Sequence, residues 1–337
     1  MAVRCAINGF GRIGRLVMRQ GFGLSDFEVV AINDITDAPT LAHLLKYDSV
    51  HRTWPQSVVA GDGSITVDNK SMKVFSEKDP SKLPWGDLAV DVVIESTGKF
   101  RKPEEAELHI KAGARKVLLS APWKGVRDDV LTIVMGVNHD LYDASKHNMV
   151  STASCTTNCL APMAMVLNNT LGIVKGEMTT IHAFTNDQKI LDLPHKDLRR
   201  ARSAFVSIIP TSTGAGKAIG LVLPELKGKL AAMAIRVPVA DGSIVDLTVE
   251  TAKPATKEAV NAAFKQASEK APLKGYLECV ESELVSADIV GNTHSCVFDS
   301  LLTEVQGGNM VKVCGWYDNE MGYASRMIDM MKLIAKG

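Results

Sequence analysis

The sequence predicts an α/β protein of two parts, a doubly wound parallel sheet followed by an α+β domain on a mostly antiparallel sheet. Three observations predict it. The chain has 337 residues, and at roughly 100–200 residues per domain that length points to two domains. Up to about residue 150, short continuous apolar runs alternate with helical segments, the pattern of parallel strands covered on both faces. Beyond residue 150, strand-like runs follow one another with few helices between them.

The elements read in order as follows. Residues 3–7 form a short buried strand, 12–22 a helix and 28–32 the next strand. The more polar stretch 60–75 reads as a hairpin insertion. Segments 91–96, 116–120 and 131–137 are apolar runs of strand length. Between the first two lies 103–112, a helix with proline at its start and Gly113 after its end. In the second half, 178–184, 231–237, 244–250, 295–298 and 310–316 read as strands, with 256–270 the clearest helix. Residues 320–335 make a final helix. The segment 185–210 is polar, basic and irregular, and a loop that long is usually functional or interfacial.

Composition narrows the function. Hydrophobic residues are 46% and charged residues 23% of the chain, and formal net charge is +0. No global field gathers nucleic acid or anionic lipid, so anion recognition must be local. No apolar run approaches the ~18 residues of a membrane span, and no secretory leader is expected. The six cysteines, Cys5, Cys155, Cys159, Cys279, Cys296 and Cys314, are scattered through a large chain. That usage predicts reduced thiols in the cytoplasm rather than a disulfide framework.

Two local patterns carry chemistry. Gly9, Gly11 and Gly14 in GFGRIG follow a strand and open a helix, the context a dinucleotide fingerprint needs. The first glycine permits the turn and the second lets backbone approach a pyrophosphate. The third packs helix on strand, and the helix start attracts the anion. Asp34 ends the next strand 20 positions on, where a carboxylate accepts from ribose hydroxyls and repels a 2′-phosphate. NAD is therefore expected over NADP, on a Rossmann-type domain. A turn-glycine cluster in a non-binding domain is the competing reading. The second pattern is ASCTTNC, which precedes an apolar helix. Cys155 lies at or near that helix's N-terminus, where the dipole and N–H groups favour a thiolate. Cys159, one turn deeper, reads as packing, and the C-x-x-x-C spacing lacks the further ligands of a metal site. A thiolate nucleophile calls for a base or cation. His182, at the end of MTTIHAF, is a candidate, with a structural or solvated histidine as the alternative.

Taken together, INGFGRIGR, AINDITD, ASCTTNCLAP, HAFTNDQ, PTSTGAGKA, RVPV and WYDNEMGY resemble the phosphorylating glyceraldehyde-3-phosphate dehydrogenase family, over essentially the whole chain. Thr152 stands where that family usually has Asn, Gly216 where it has Ala, and Ser96 where Cys is frequent. The resemblance implies oxidation of glyceraldehyde 3-phosphate to 1,3-bisphosphoglycerate in glycolysis, with NAD and inorganic phosphate. Cys155 would form a thiohemiacetal and then a thioester. His182 would ion-pair with the thiolate and take the hydroxyl proton. Ser154, Thr156, Thr213 and Gly214 would serve one anion, with Thr185, Arg200 and Arg236 among the groups for the other. A solvated face in its basic run is the competing reading for Arg200. For NAD, Arg12 and Ile13 would meet the pyrophosphate, and Lys78, Ser120 and Asn319 the adenine or nicotinamide ends. Leu193 and Pro194 are similar to the NAD-preferring members. The implied domains are 1–154, completed by 320–337, for the dinucleotide and 155–319 for catalysis. The long loop implies a homotetramer, with no membrane or nucleic acid required. Two rivals remain: erythrose-4-phosphate dehydrogenase, which hydrolyses the thioester, and a non-enzymatic binding protein on the same scaffold.

Overall fold

The computed structural model describes residues 2–125 and 127–336. The chain divides into two compact units. The first holds the chain up to Ile133, Asp140–Ala153 and the chain from Ala324, and the second holds Val134–His139 and Ser154–Tyr323.

The first unit starts with β1 (Val3–Asn8), α1 (Arg12–Gly21), β2 (Phe27–Asn33) and α2 (Ala38–Lys46). Strands β3 (Val58–Gly61), β4 (Ser64–Val67) and β5 (Lys70–Phe75) follow, then β6 (Val92–Glu95), α3 (Pro103–Lys111), β7 (Lys116–Leu119), β8 (Val130–Thr132) and β9 (Met149–Ser151). They form one sheet in the order β3-β4-β5-β2-β1-β6-β7-β9-β8. Pairing is parallel from β5 to β8 and antiparallel at the β3–β4 and β4–β5 edge. The continuous apolar runs have their physical reason in two-sided cover: all four residues of β6 are buried, and Ala6, Ala31 and Val93 pack with Trp85, Leu83 and Ala114. Strand order reverses about β1, so a crevice opens at the carboxyl ends of β2, β1 and β6, the usual ligand position in such sheets.

Residues 60–75 hold the expected hairpin, the antiparallel pair β4–β5, which β3 extends to a three-stranded meander. One expected element is corrected. The strand expected over 131–137 is only the three residues of β8. Gly136 takes a φ of 83°, and the Asn138 Oδ1 accepts from the Val134 N–H at 2.8 Å. The run folds into a turn whose apolar side chains stay buried. Periodicity alone cannot separate a buried strand from such a turn.

The second unit comprises α4 (Cys155–Leu171), β10 (Ile173–Ala183), β11 (Ile209–Ser212), α5 (Ala215–Val222), β12 (Leu230–Val237) and β13 (Ser243–Thr251). Then come α6 (Lys257–Glu269), β14 (Leu277–Val280), the single turn α7 (Ser286–Ile289), β15 (Cys296–Gln306) and β16 (Met310–Tyr317). The last helix, α8 (Met321–Lys336), begins here and runs on into the first unit's share of the chain. The sheet order is β11-β12-β10-β13-β16-β15-β14, antiparallel except at β10–β12 and β14–β15. Strand β13 alternates buried and half-buried residues along its whole length, as a sheet with one packed face requires. Helix α4 lies on β15 and β16, its Cys159 Sγ 3.4 Å from the Gly315 carbonyl. Residues 184–208 carry no helix or strand, only a bridge between Lys189 and Ser203.

Candidate active site and cofactor crevice

The thiol is placed by backbone geometry. Ala153, a non-glycine residue, takes a φ of 58° directly before the helix. Such a conformation costs of order 1–3 kcal/mol and is characteristic of functional turns. Ser154 is the N-cap of α4: its Oγ accepts from the Thr157 N–H at 3.1 Å and contacts the Thr157 hydroxyl at 2.8 Å. Cys155 is thus the first residue of α4, half-buried beside the N–H groups of the first turn.

Strand β10 brings His182 to it. His182 Nε2 lies 3.5 Å from Cys155 Sγ, and the ring is buried at 2% exposure. On its far side, Nδ1 meets the Ala183 carbonyl at 2.7 Å and the Arg236 Nη1 at 2.5 Å. Arg236 arrives from β12, which pairs with β10 so that Arg236 stands opposite His182. Its Nη1 also donates to the Ala183 carbonyl at 3.0 Å. Its Nε is buried with no hydrogen-bond partner among the described residues, a donor aimed at an acceptor the chain does not provide. Sequence reasoning missed one member of this cluster. Tyr317 is buried, its hydroxyl 3.0 Å from Thr156 Oγ1 and 2.8 Å from Thr180 Oγ1, its ring edge-on to His182 at 5.8 Å. It ties the start of α4 to β10. WYDNEMGY signalled the segment, but nothing local singles out which aromatic turns inward.

The electrostatics differ from a cysteine–histidine ion pair. Burial pushes the Cys155 thiol up, while the Arg236 charge and the Thr156 N–H and hydroxyl pull it down. Cys155 keeps partial exposure, so water offsets some of that desolvation. Burial and then the Arg236 charge push His182 down to about 3, against the pull of the Ala183 carbonyl. Imidazole is therefore neutral at physiological pH, and the cation beside the sulfur is Arg236. The ion-pair role expected for His182 is opposed by this setting: a histidine sealed beside a guanidinium holds a second positive charge only at a cost.

The other expected anion ligands are placed as follows. Thr156 is buried, and both its donors act on Cys155. Thr213 and exposed Gly214 lead into α5, whose first N–H, that of Ala215, is held by Thr213 Oγ1 at 3.2 Å. Thr185 turns its hydroxyl to Gln188 Oε1 at 3.3 Å. Arg200 is engaged within the chain, on Asp187 at 2.7 Å, Thr211 Oγ1 at 2.7 Å and the Ser212 carbonyl at 3.0 Å. Its charge is nonetheless felt at Arg236. Asn319 is buried after β16, its Oδ1 accepting from Ser243 Oγ at 2.6 Å. That hydroxyl accepts in turn from the Ala183 N–H at 3.0 Å, which leaves the Asn319 amide nitrogen to donate elsewhere.

In the first unit, Gly9, Gly11, Asp34 and Lys78 line one crevice of about 430 Å³, with Asn8, Asn33, Ser96 and Thr97. Gly9 has a φ of 92°, and a Cβ on it would meet the Thr97 N at 2.5 Å. Gly11 faces open space, as a cradle for a bulky anion requires. Asp34 holds the turn, its Oδ2 accepting from the Phe10 N–H at 2.8 Å and its Oδ1 from the Thr36 N–H at 3.0 Å. A carboxylate has about four acceptor sites, so capacity remains for two ribose hydroxyls. Gly14 is buried in α1 against β1. Arg12 does not turn its guanidinium to the crevice but to Asp48, at 2.5 Å. Against desolvation, the His51 N–H and Arg12 hold the Asp48 carboxyl down at about 2. Any contact of Arg12 and Ile13 with a pyrophosphate is left to their backbone N–H groups at the helix start. Ser120 follows β7, its N–H on the Glu95 carbonyl at 2.9 Å.

Comparison with known proteins agrees with both halves. Residues 3–103 match the family model described as glyceraldehyde 3-phosphate dehydrogenase, NAD binding domain. Residues 154–319 match the model described as glyceraldehyde 3-phosphate dehydrogenase, C-terminal domain. The chain is 59% identical over 327 residues, 97% of each chain, to glyceraldehyde-3-phosphate dehydrogenase 1 of Bacillus cereus. It is 57% identical over 335 residues, 99% of each chain, to glyceraldehyde-3-phosphate dehydrogenase of Geobacillus stearothermophilus. A further similar relative is glyceraldehyde-3-phosphate dehydrogenase 2 of Streptomyces avermitilis, 57% identical over 334 residues and 98% of each chain.

Proposed function

Because the chain belongs to the glyceraldehyde 3-phosphate dehydrogenase family, we propose that it oxidises glyceraldehyde 3-phosphate to 1,3-bisphosphoglycerate through a thioester on Cys155. The observation that carries this reading is the cluster at the start of α4: Cys155 Sγ 3.5 Å from His182 Nε2, with Arg236 behind the ring. Arg236 and the Thr156 donors stabilise the thiolate when the Cys155 proton leaves. The sulfur adds to the aldehyde carbon and the proton lost from Cys155 is returned to the aldehyde oxygen, giving a thiohemiacetal. NAD, when bound, supplies the acceptor for the hydride lost from that carbon. His182 Nε2 takes the hydroxyl proton in the same step, and a carbonyl forms on the carbon still bonded to Cys155 Sγ. Phosphate then attacks that carbonyl, the C–S bond breaks, and the Cys155 thiolate is restored with release of an acyl phosphate.

The base role of His182 depends on its tautomer. While Nδ1 accepts from Arg236, the ring proton sits on Nε2 and faces the sulfur. An anion that draws Arg236 away frees Nδ1 to donate to the Ala183 carbonyl, 2.7 Å off, and Nε2 then offers a lone pair. The unpartnered Arg236 Nε supplies a donor for one phosphate group, and the turn at Thr213 and exposed Gly214 before α5 is the place we assign to the other. Thr185, Arg200, Thr213 and Gly214 are assigned to these anions, and Asn319 to the cofactor carboxamide, on the same reading.

The test is the rate of NADH formation from glyceraldehyde 3-phosphate with and without inorganic phosphate. The expected result is sustained turnover only when phosphate is present. Equal rates would favour hydrolysis of the thioester, the chemistry of erythrose-4-phosphate dehydrogenase.

A homotetramer belongs to the same proposal. Ile190, Leu198, Phe205, Val206 and Ile208 in the long loop are each 69–82% exposed, and large apolar side chains left in water along one loop are what a subunit interface would cover. Sedimentation equilibrium is expected to give about four times the 36.3 kDa chain mass, and a monomer mass would contradict it. No helix among the described residues is long and apolar enough to cross a membrane. The cytoplasm is the compartment we assign, since a reactive thiol is kept available in a reducing milieu.

A further inference from the structure

Beneath the cofactor crevice lies a buried polar network that none of the chemistry above uses. Glu95, the last residue of β6, is fully buried, as is His109 on α3. Four donors converge on the Glu95 carboxylate. Oε2 accepts from Asn8 Nδ2 at 2.5 Å and faces His109 Nε2 at 3.1 Å. Oε1 accepts from the Thr97 N–H at 2.9 Å and the Thr97 hydroxyl at 2.5 Å. The acceptors of this buried group are thus satisfied, as a low-dielectric interior demands.

The histidine tautomer follows from its neighbour. Trp85 Nε1 lies 3.0 Å from His109 Nδ1, and an indole nitrogen can only donate. His109 Nδ1 must therefore hold a lone pair, the ring proton must be on Nε2, and Nε2–H points at Glu95. The two residues are a neutral imidazole donating to a carboxylate, not an ion pair.

From Glu95 the network runs across the sheet. Its bond to Nδ2 orients the Asn8 amide, so Asn8 Oδ1 accepts from Asn33 Nδ2 at 2.7 Å. Asn33 in turn donates to the Glu77 carbonyl and accepts from the Glu77 N–H, both at 2.9 Å. The linked residues stand at the carboxyl ends of β6, β1 and β2 and just after β5, four neighbours in the sheet. Each immediately precedes a residue that lines the crevice: Ser96 follows Glu95, Gly9 follows Asn8, Asp34 follows Asn33 and Lys78 follows Glu77. The main chain is tied at the same points, with the Gly9 N–H on the Asn33 carbonyl at 2.8 Å.

We propose that Glu95 and His109 are positioning residues for NAD. Through Asn8 and Asn33 they set the spacing of the Gly9 turn, Asp34 and Lys78, without touching the cofactor themselves. This rests on the reading of the crevice as the NAD site. A carboxamide in place of the carboxylate would turn an N–H₂ toward Asn8 and His109 or toward the Thr97 N–H, a donor facing a donor in either orientation.

Binding of NAD to the substrate-free protein, measured calorimetrically, reads the effect directly. Glu95→Gln is expected to weaken NAD about tenfold, the ~1.4 kcal/mol that such a factor represents, and to raise the KM for NAD with kcat within about twofold. The KM for glyceraldehyde 3-phosphate is expected to stay unchanged. His109→Gln keeps one acceptor for Trp85 and one donor for Glu95, and is expected to bind NAD nearly as the parent does. His109→Leu fills similar volume with neither group, and is expected to weaken NAD like Glu95→Gln. It should also shift the Trp85 indole N–H resonance upfield. Parent-like NAD affinity in Glu95→Gln would overturn the proposal. So would equal losses of affinity or of folding in His109→Gln and His109→Leu, since volume rather than hydrogen bonding would then be the role. Asp34→Ala separates the two levels. If it leaves NAD affinity intact the crevice reading fails, whereas if it alone weakens NAD only the positioning role fails.

Discussion

Cys155→Ser is expected to lower kcat by roughly 10⁴- to 10⁶-fold while leaving the affinity for NAD unchanged. The substitution keeps the position at the start of α4 and nearly the same volume, so the cap at Ser154 and the Thr156 contacts have no reason to move. What changes is the acid. An alcohol is a far weaker acid than a thiol, and the base within reach, His182, is held down at about 3. Burial raises the Cys155 thiol and Arg236 opposes that rise, whereas the same charge cannot bring an alcohol to its anion. A pre-steady-state burst of NADH measures this with one turnover. The parent should give a burst stoichiometric with sites in the absence of phosphate, because the thioester accumulates, and the serine variant should give none. A burst of undiminished size in Cys155→Ser would remove this thiol from the reaction. NAD affinity is expected to survive because the Gly9 turn and Asp34, which we assign to the cofactor, are unchanged by the substitution.

How much of this was legible in the sequence depends on whether a residue's role is local. The Gly9 turn and Asp34 were readable because strand, glycines and acidic strand end fall within one βαβ unit, and the Asp34 carboxylate does hold the Phe10 N–H of that turn. Cys155 was readable because a helix start alters the chemistry of whatever residue stands there. His182 could be named only as a candidate: it lies 27 residues from Cys155, and only the register of β10 decides that it faces the sulfur. Arg236 lies 54 residues from His182 and is brought beside it by the parallel pairing of β10 with β12. An arginine on a strand carries no local signal of that, so its place came from resemblance, and the charge it supplies was credited to the histidine. Glu95 was hidden for the opposite reason. At the end of the apolar run DVVIES it looks like a strand meeting solvent, and its burial depends on partners from β1 and α3. Likewise β9, three residues long, is a strand only because β7 and β8 lie on either side of it.

Replacing Arg236 by alanine is expected to slow alkylation of Cys155 at neutral pH by at least about tenfold, whereas His182→Asn should leave the alkylation profile nearly in place. The signs follow from the charges. Arg236 lowers the Cys155 thiol, so its removal lets burial raise that thiol further and moves the pH dependence of alkylation upward. Arg236 also lowers His182, so the same removal raises the imidazole and makes it a better base with a less reactive thiolate beside it. His182, neutral as it stands, gives the thiolate no charge, and its loss removes base catalysis alone. That loss is expected to cost roughly 10²- to 10⁴-fold in kcat with little change in iodoacetamide reactivity. Arg236→Lys distinguishes charge from shape: an ammonium restores part of the thiolate reactivity, but not the planar fork that donates to His182, the Ala183 carbonyl and an incoming phosphate. Turnover should therefore stay low in Arg236→Lys even where alkylation recovers. If His182→Asn slows alkylation as much as Arg236→Ala does, the imidazole is the cation after all, and the neutral pair inferred from the burial of His182 against a guanidinium is wrong.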